Sequence, residues 1–282
     1  MAALPWPMHP PRMAELSGFP QLLRLWRRRR GQSQLDLSLE AEISTRHLSF
    51  LETARSRPSR EMVLRLAEAL DVPLRERNVL LEAAGFASAY TEGDLDAPEL
   101  ETLRRMVDFV LEQHAPFPAV LLDRHWNLRG MNSAAPGLFA SFATGASGPP
   151  WTDEPLNLMR VTLHPDGLQP FIVNFDEVAT ELIAGLQRKA AATGDEVLGA
   201  LLEELTALPG MPSEVRTPDL ARAPLPVLPL HLKNGDLDLQ LFSAITQVSS
   251  AQDVTVAELR IESMMPADAA TEATIRRLAA GA

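Results

Sequence analysis

The stretch from Gln32 to Pro58 constrains this chain more than any other. Ser33 and Ser44 each precede a short run patterned for a helix, and each can cap that helix by accepting from its free N–H groups. Only Ala41 to Ile43 stand between the two runs. Two short helices joined so tightly must pack at a steep angle, which is helix-turn-helix spacing. In the second helix Leu48 and Leu51 turn inward and leave Thr45, Arg46, His47 and Ser49 toward solvent. Such hydroxyl, guanidinium and imidazole groups suit base edges in a DNA major groove, where arginine matches guanine. Gln34 at the start of the first helix, with Arg55 and Arg57 after the second, stands where flanking phosphates run.

The charge distribution agrees with this reading. The whole chain of 282 residues carries a net charge of −11, which evenly spread would repel a polyanion. It is not evenly spread: residues 1–90 hold 13 arginines against 10 acidic residues, and the span Arg24 to Arg60 holds 9 against 4. A basic block on an acidic chain is the footprint of a local phosphate-binding surface.

Length favours two domains. Residues 1–15, with four prolines, read as an irregular arm, and residues 16–89 as five short helices. Their apolar positions are Leu22, Leu23 and Trp26; Leu35, Leu37 and Leu39; Leu48 and Leu51; Val63, Leu64, Leu66, Ala67 and Leu70; and Leu80, Leu81 and Ala84. The breaker-containing segment 90–98 reads as a linker. Residues 99–282 then read as an α+β domain. A helix from Glu99 to Gln113 is followed by strands at Pro118–Leu122, Trp126–Met131, Leu225–Leu232, Leu237–Thr246 and Val254–Ile261, around a helical middle from Asn132 to Leu208. Asp123 to His125 and Lys233 to Gly235 supply hairpin turns, and Gly145 to Pro155 a surface loop. The fold class expected is thus an all-α domain followed by one antiparallel sheet covered by helices.

Gln34, Ser44, Leu48, Ser49 and Glu52 match the pattern of the Xre, or lambda-repressor-like, helix-turn-helix family, which the chain resembles over about Phe19 to Gly85. The resemblance implies base contacts from Thr45, Arg46, Ser49 and Phe50, and backbone contacts from Ser33, Gln34, His47, Arg55 and Arg57. Two positions depart from it: Glu42 and Ala54 stand where the family has glycine. If they keep a left-handed conformation, each costs about 1 kcal/mol against glycine. Further along, Pro118 to Asn132, Asn157 to Leu168, Pro226 to Leu230 and Thr255 to Asp268 resemble the MmyB-like ligand-binding domain, which is PAS-like, over about Glu101 to Leu278. That resemblance implies a bound lipophile such as a long-chain fatty acid, with no other cofactor required. Each buried methylene contributes about 0.8 kcal/mol, so an acyl chain can offset the cost of its own immobilisation. A carboxylate head needs a cation or donors, for which Arg160, His164 and Asn157 are candidates; Phe139, Leu158, Phe171, Phe242 and Ile245 are candidates for the lining.

Together these readings describe a regulator that binds a double-stranded DNA operator as a homodimer whose DNA affinity a ligand modulates. Alternatives are a ligand-free dimerisation or partner-binding module, or a haem sensor using His114, His125, His164 or His231. No cysteine is present, which excludes thiolate metal sites and cysteine nucleophiles, and no hydrolase or phosphate-loop signature occurs, so an enzyme is not expected. The N-terminus lacks a cationic start and an apolar core, and no apolar run approaches the roughly 20 residues that span a bilayer. A cytoplasmic location without membrane contact is the expectation.

Overall fold

The computed structural model describes residues 18–93, 97–142, 155–216, 227–247 and 253–280. The expected arm at 1–15, most of the loop from Gly145 to Pro155, and the start of the strand expected from Leu225 lie outside them. The described residues form two compact units. One comprises 18–93 with 253–257; the other comprises the remainder.

The first unit holds five helices: α1 (Phe19–Arg29), α2 (Gln34–Glu40), α3 (Thr45–Glu52), α4 (Arg60–Ala69) and α5 (Leu74–Ala83). Ser33 caps α2, accepting from Asp36 N–H while the Asp36 carboxylate accepts from Ser33 N–H; Ser44 caps α3 through His47 N–H and Ser59 caps α4 through Met62 N–H. One core joins all five, with Leu23, Trp26, Leu37, Leu48, Leu51, Leu66 and Leu81 among its buried side chains. Each such side chain contributes about 1.5–3 kcal/mol on leaving water. The apolar stripe expected in α2 needs correction: only Leu37 is buried, while Leu35 and Leu39 are 57% and 70% exposed. At about 100° per residue, positions two apart point to opposite sides of a helix, so Leu37 excludes its two neighbours from the core.

Glu42 and Ala54 both adopt left-handed backbone, at φ 53° and 59°. The turns require it: Ile43 N–H reaches back to Ser38 and Arg55 N–H to Phe50, closing the ends of α2 and α3.

The second unit begins with α6 (Glu101–Gln113) and the hairpin β1 (Ala119–Leu122) and β2 (Leu128–Met131). The helices α7 (Ala135–Ser141), α8 (Leu158–Leu163), α9 (Phe175–Thr193) and α10 (Glu196–Thr206) follow. Then come β3 (Pro229–Asn234), β4 (Leu237–Gln247), the short α11 (Val254–Glu258) of the first unit, β5 (Arg260–Pro266) and α12 (Ala269–Ala280). The five strands form one sheet in the order β2-β1-β5-β4-β3, antiparallel throughout. The last strand is therefore central. On one face Ala119, Leu121, Leu259 and Ile261 pack with Val107 and Leu111 of α6; on the other, Val120, Leu122, Leu239, Leu241 and Met264 meet α7, α8 and α9.

The strand expected at Val254–Ile261 is wrong over its first half. Its β-branched run imitates a strand, but the Asp253 carboxylate accepts from Val256 N–H and starts a helical turn instead. The second hairpin forms as its Asn-Gly signal indicates, with Gly235 at φ 57° between paired Asn234 and Leu237. The first hairpin turns more widely than expected, so β2 begins at Leu128 rather than Trp126.

Candidate functional site

Two arrangements carry chemistry, one in each unit. In the first, α3 presents Arg46 exposed and Thr45, His47, Ser49 and Phe50 half-buried. The Phe50 ring holds two guanidinium groups near it, Arg46 at 5.3 Å and Arg55 at 6.0 Å. Arg57 is exposed. Beneath lies Glu52, 3% exposed, which accepts from Arg27 at 2.6 and 3.0 Å and from Gln34 Nε2 at 2.7 Å. Burial alone would raise the Glu52 carboxyl, but the hydrogen bonds from Arg27 and Gln34 outweigh it and hold its pKa below the ordinary value. One carboxylate thus clamps α1, α2 and α3 and sets the pose of α3. Gln34, expected among the backbone-contacting groups, spends its amide on this clamp; Ser33 and Ser44 spend their hydroxyl acceptors on caps; and Thr45 Oγ1 lies 2.9 Å from Ser38 Oγ.

The second arrangement starts at the β1–β2 turn. Asp123 Oδ1 accepts from His125 and Asn127 N–H, and Oδ2 from Asn127 and Arg129 side chains. This winding forces Trp126 into the left-handed region, φ 69°, a conformation a bulky residue adopts only where its surroundings over-determine it. The Arg260 guanidinium sits over the Trp126 ring at 4.3 Å and donates to the Asp123 and Arg124 carbonyls. Leu158 N–H donates to Trp126 O, and Asn157 donates to His125 O and Asn127 Oδ1 while capping α8. The turn and the start of α8 are thereby stapled together.

Beside this staple lies a cavity of about 60 Å³ between sheet and helices. Trp126, Leu158, Met159 and Thr162 form one wall, Leu168, Val178 and Leu182 a second, and the sheet side brings Leu230, Leu241, Phe242, Ser243, Glu262 and Met264. Among the described residues no lysine, arginine or histidine lines it. Glu262 is the lone carboxyl: Ser243 hydrogen-bonds it, and its buried Oε2 has no hydrogen-bond partner among the described residues. Burial raises the Glu262 pKa above the ordinary carboxylate value, against the opposing Ser243 hydrogen bond and Arg260 charge. Trp126 Nε1 is likewise buried without a partner among the described residues.

Of the side chains expected at a ligand, Leu158 and Phe242 line this cavity. The other six do not. Arg160 makes a two-pronged ion pair with Glu204, both bonds at 2.7 Å. His164 falls just past the end of α8 with extended backbone, and its Nδ1 accepts from Asp166 N–H, so it does not share a helix face with Arg160. Asn157 is saturated by the staple. Phe171 stacks edge-on against Phe142 at 5.6 Å, Phe139 packs in the neighbouring core, and Ile245 is 52% exposed. Sequence reasoning missed Glu262 and Trp126. The signal for Glu262 was a lone acidic residue at an alternate position of an apolar strand, in Arg260-Ile-Glu-Ser263.

Nearby, Asp195 caps α10 and meets His125 Nε2 at 2.9 Å and Arg124 at 3.5 Å; burial alone would raise it, but these contacts hold it down at about 2. His231 Nε2 pairs with Asp238 at 2.7 Å. None of the four histidines considered for haem lines the cavity, and no cluster of three or more potential metal ligands occurs among the described residues.

Residues 23–77 match the family described as helix-turn-helix, and residues 103–278 match that described as the MmyB-like transcription regulator ligand binding domain. No curated protein matches the chain. A solved structure of an RNA-binding light-oxygen-voltage receptor is similar over 95% of this chain at 13% identity and a TM-score of 0.27. The chain spans 63% of that receptor chain's length. The second family match covers more than half of the chain and follows the first as a sensor follows a DNA-binding domain, so the chain belongs to the MmyB-like transcription regulators, non-enzymatic proteins with a helix-turn-helix DNA-binding domain and a ligand-binding domain.

Proposed function

We propose that this regulator binds its operator as a homodimer and that a lipophilic ligand in the cavity beside Trp126 changes the affinity for DNA. The observation that carries the reading is the cavity itself: apolar walls, no cation, and two polar groups held without partners among the described residues. The strand order β2-β1-β5-β4-β3 supports a PAS-like sensor. A long-chain fatty acid, the ligand implied by the family resemblance, suits these walls but exceeds the room of about 60 Å³, so its entry requires the walls to part. Such parting would move α8 and the β1–β2 turn together, because Asn157 staples them.

On the DNA side, Thr45, Arg46, Ser49 and Phe50 read base edges, and Ser33, His47, Arg55 and Arg57 hold the backbone, as their positions on and around the exposed face of α3 favour. A dimer places two such helices about 34 Å apart, one turn of DNA. Among the described residues no helix is long and apolar enough to cross a membrane, which is compatible with action in the cytoplasm.

The test is organic extraction of the full-length protein with mass spectrometry of the extract, coupled to operator affinity before and after ligand removal. Recovery of a stoichiometric lipophile whose removal changes DNA affinity at least fivefold is the expected result. A clean extract, together with DNA affinity indifferent to added lipophiles, refutes the sensor reading and leaves a dimerisation module.

A further inference from the structure

A cavity that evolved for fatty acids alone has no use for a carboxyl group in its wall. Here Glu262 projects from the central strand β5 into a space otherwise lined by aliphatic and aromatic side chains and two hydroxyls. One of its oxygens is buried and unsatisfied among the described residues, and a buried acceptor left unpaired costs about 1–3 kcal/mol, which a ligand donor would recover. Arg260, the nearest guanidinium, donates through one nitrogen to the Asp123 and Arg124 carbonyls, lies against the Trp126 ring and does not line the cavity. Arg160, the arginine expected to serve a carboxylate, pairs with Glu204 and does not line the cavity. An ionised carboxylate entering here would meet no cation among the described lining residues to offset its desolvation.

We propose that the cavity selects a compact apolar ligand bearing one hydrogen-bond-donating head, a hydroxyl or an amine, which Glu262 Oε2 receives. This rests on the reading of the cavity as the sensor site and specifies what the site takes. Its size follows from the volume: about 60 Å³ accommodates about five water molecules, equivalent to a ligand of roughly 150 Å³, the size of a six-carbon ring or chain with its head. The ligand's donor satisfies the open oxygen and its hydrocarbon fills the space against Leu158, Leu182 and Met264. Ser243, itself in the cavity wall, is already bonded to the same carboxyl. Burial raises the Glu262 pKa, so a hydroxyl donor suits its open oxygen, and an amine's positive charge would favour the ionised carboxylate and a buried ion pair.

The experiment compares hexan-1-ol, hexylamine and hexanoate by ligand-observed NMR titration of the full-length protein at neutral pH, for the native chain, Glu262→Gln and Glu262→Leu. Hexan-1-ol or hexylamine is expected to bind about tenfold more tightly than hexanoate. Glu262→Gln keeps a carbonyl acceptor and should retain hexan-1-ol affinity within about threefold while losing preference for the amine; Glu262→Leu should lower alcohol affinity about tenfold. Hexanoate binding as tightly as the alcohol, or a preference that survives Glu262→Leu, overturns the head assignment and leaves a lipophile cavity standing. If none of the three binds a chain whose melting is unchanged, the compact-ligand proposal falls, and the extraction experiment alone decides the sensor reading. Should Glu262→Leu not fold, the alcohol, amine and acid ranking in the native chain and the near-isosteric Glu262→Gln decide the matter alone.

Discussion

Removing the Glu52 carboxylate should do more damage to the DNA-binding unit than any surface substitution in it. Glu52 is 3% exposed and Arg27 12% exposed, and two hydrogen bonds of 2.6 and 3.0 Å join them. Glu52→Ala strands a mostly buried guanidinium and the Gln34 amide at once. Breaking a buried pair by deleting one member costs about 3–5 kcal/mol. That is a fifth or more of the roughly 5–15 kcal/mol that holds a typical domain folded. Glu52→Gln keeps the volume and one acceptor, so its cost should fall to about 1–3 kcal/mol. Replacing both partners, Arg27→Met with Glu52→Leu, removes the stranded charge and should recover most of the loss. The assay is hydrogen exchange of the α1 and α3 amides in the full-length chain, which reports opening of this unit alone. Acid should mimic the substitution. Because the native carboxyl is held below its ordinary value of 4.5, its contribution is complete above that value and disappears as pH falls through the lowered one. A cost below about 1 kcal/mol for Glu52→Ala, or a double variant no better than the single, refutes the clamp.

Ala54→Gly should raise the stability of the same unit by up to about 1 kcal/mol, since φ 59° is unstrained for glycine and the exposed methyl packs against little; no change in denaturant midpoint would show that the strain is absent. Arg46→Ala should cost about 1–3 kcal/mol of operator affinity at a single base position, whereas Arg57→Ala should weaken all sequences alike and flatten the salt dependence, both read by binding titrations at several salt concentrations. Glu262 has its pKa raised by burial, so folding gains from its neutral form at low pH and loses that gain as pH rises through the elevated value. Glu262→Gln should therefore match the native chain in acid and exceed its melting temperature at neutral pH; the opposite order would place the carboxylate in an ionised, well-paired setting. Asp195→Asn should destabilise the second unit at neutral pH by about 1 kcal/mol after solvent screening, with the difference vanishing as pH approaches about 2.

The DNA-binding unit was legible because its signals are local. Serine caps, a short turn and inward leucines at helical spacing lie within 27 consecutive residues, from Gln32 to Pro58, and each acts on its own neighbours. The error at Leu35 and Leu39 arose from counting leucines without projecting them around the helix. The sheet was readable from alternation and from the Asn-Gly turn, but Val254 to Glu258 shows the limit: β-branched composition said strand, and one capping aspartate decided otherwise. The cavity was largely illegible. Its residues come from the β1–β2 turn, two helices and three strands, and are assembled only by the sheet order that puts the last strand in the centre. Arg160 and His164 looked like an anion site because four-residue spacing was assumed to be helical, yet the helix ends between them and Glu204, 44 positions away, takes the arginine. Partner choice across such distances has no signature in periodicity.

The short helix Val254–Glu258 changes how this protein can be cut. Thr91 Oγ1 donates to Asp253, Thr255 Oγ1 donates to the Gly93 carbonyl, and Val254 N–H donates to Thr91 O, so the first unit borrows a piece of chain from beyond β4. A recombinant fragment ending near residue 98 would lose that borrowed piece and leave Thr91 and Gly93 without these partners, while a fragment starting there would carry a loose helix where a seated one belongs. Proteolysis within 94–96 would not by itself release the halves, because the polypeptide still passes from one unit into the other and back again on either side of residues 253–257. Such a chain path makes the protein a poor subject for simple domain dissection, because the polypeptide crosses between the units three times, after Gly93, Ser249 and Ala257, and separating reader from sensor requires a cleavable site at each.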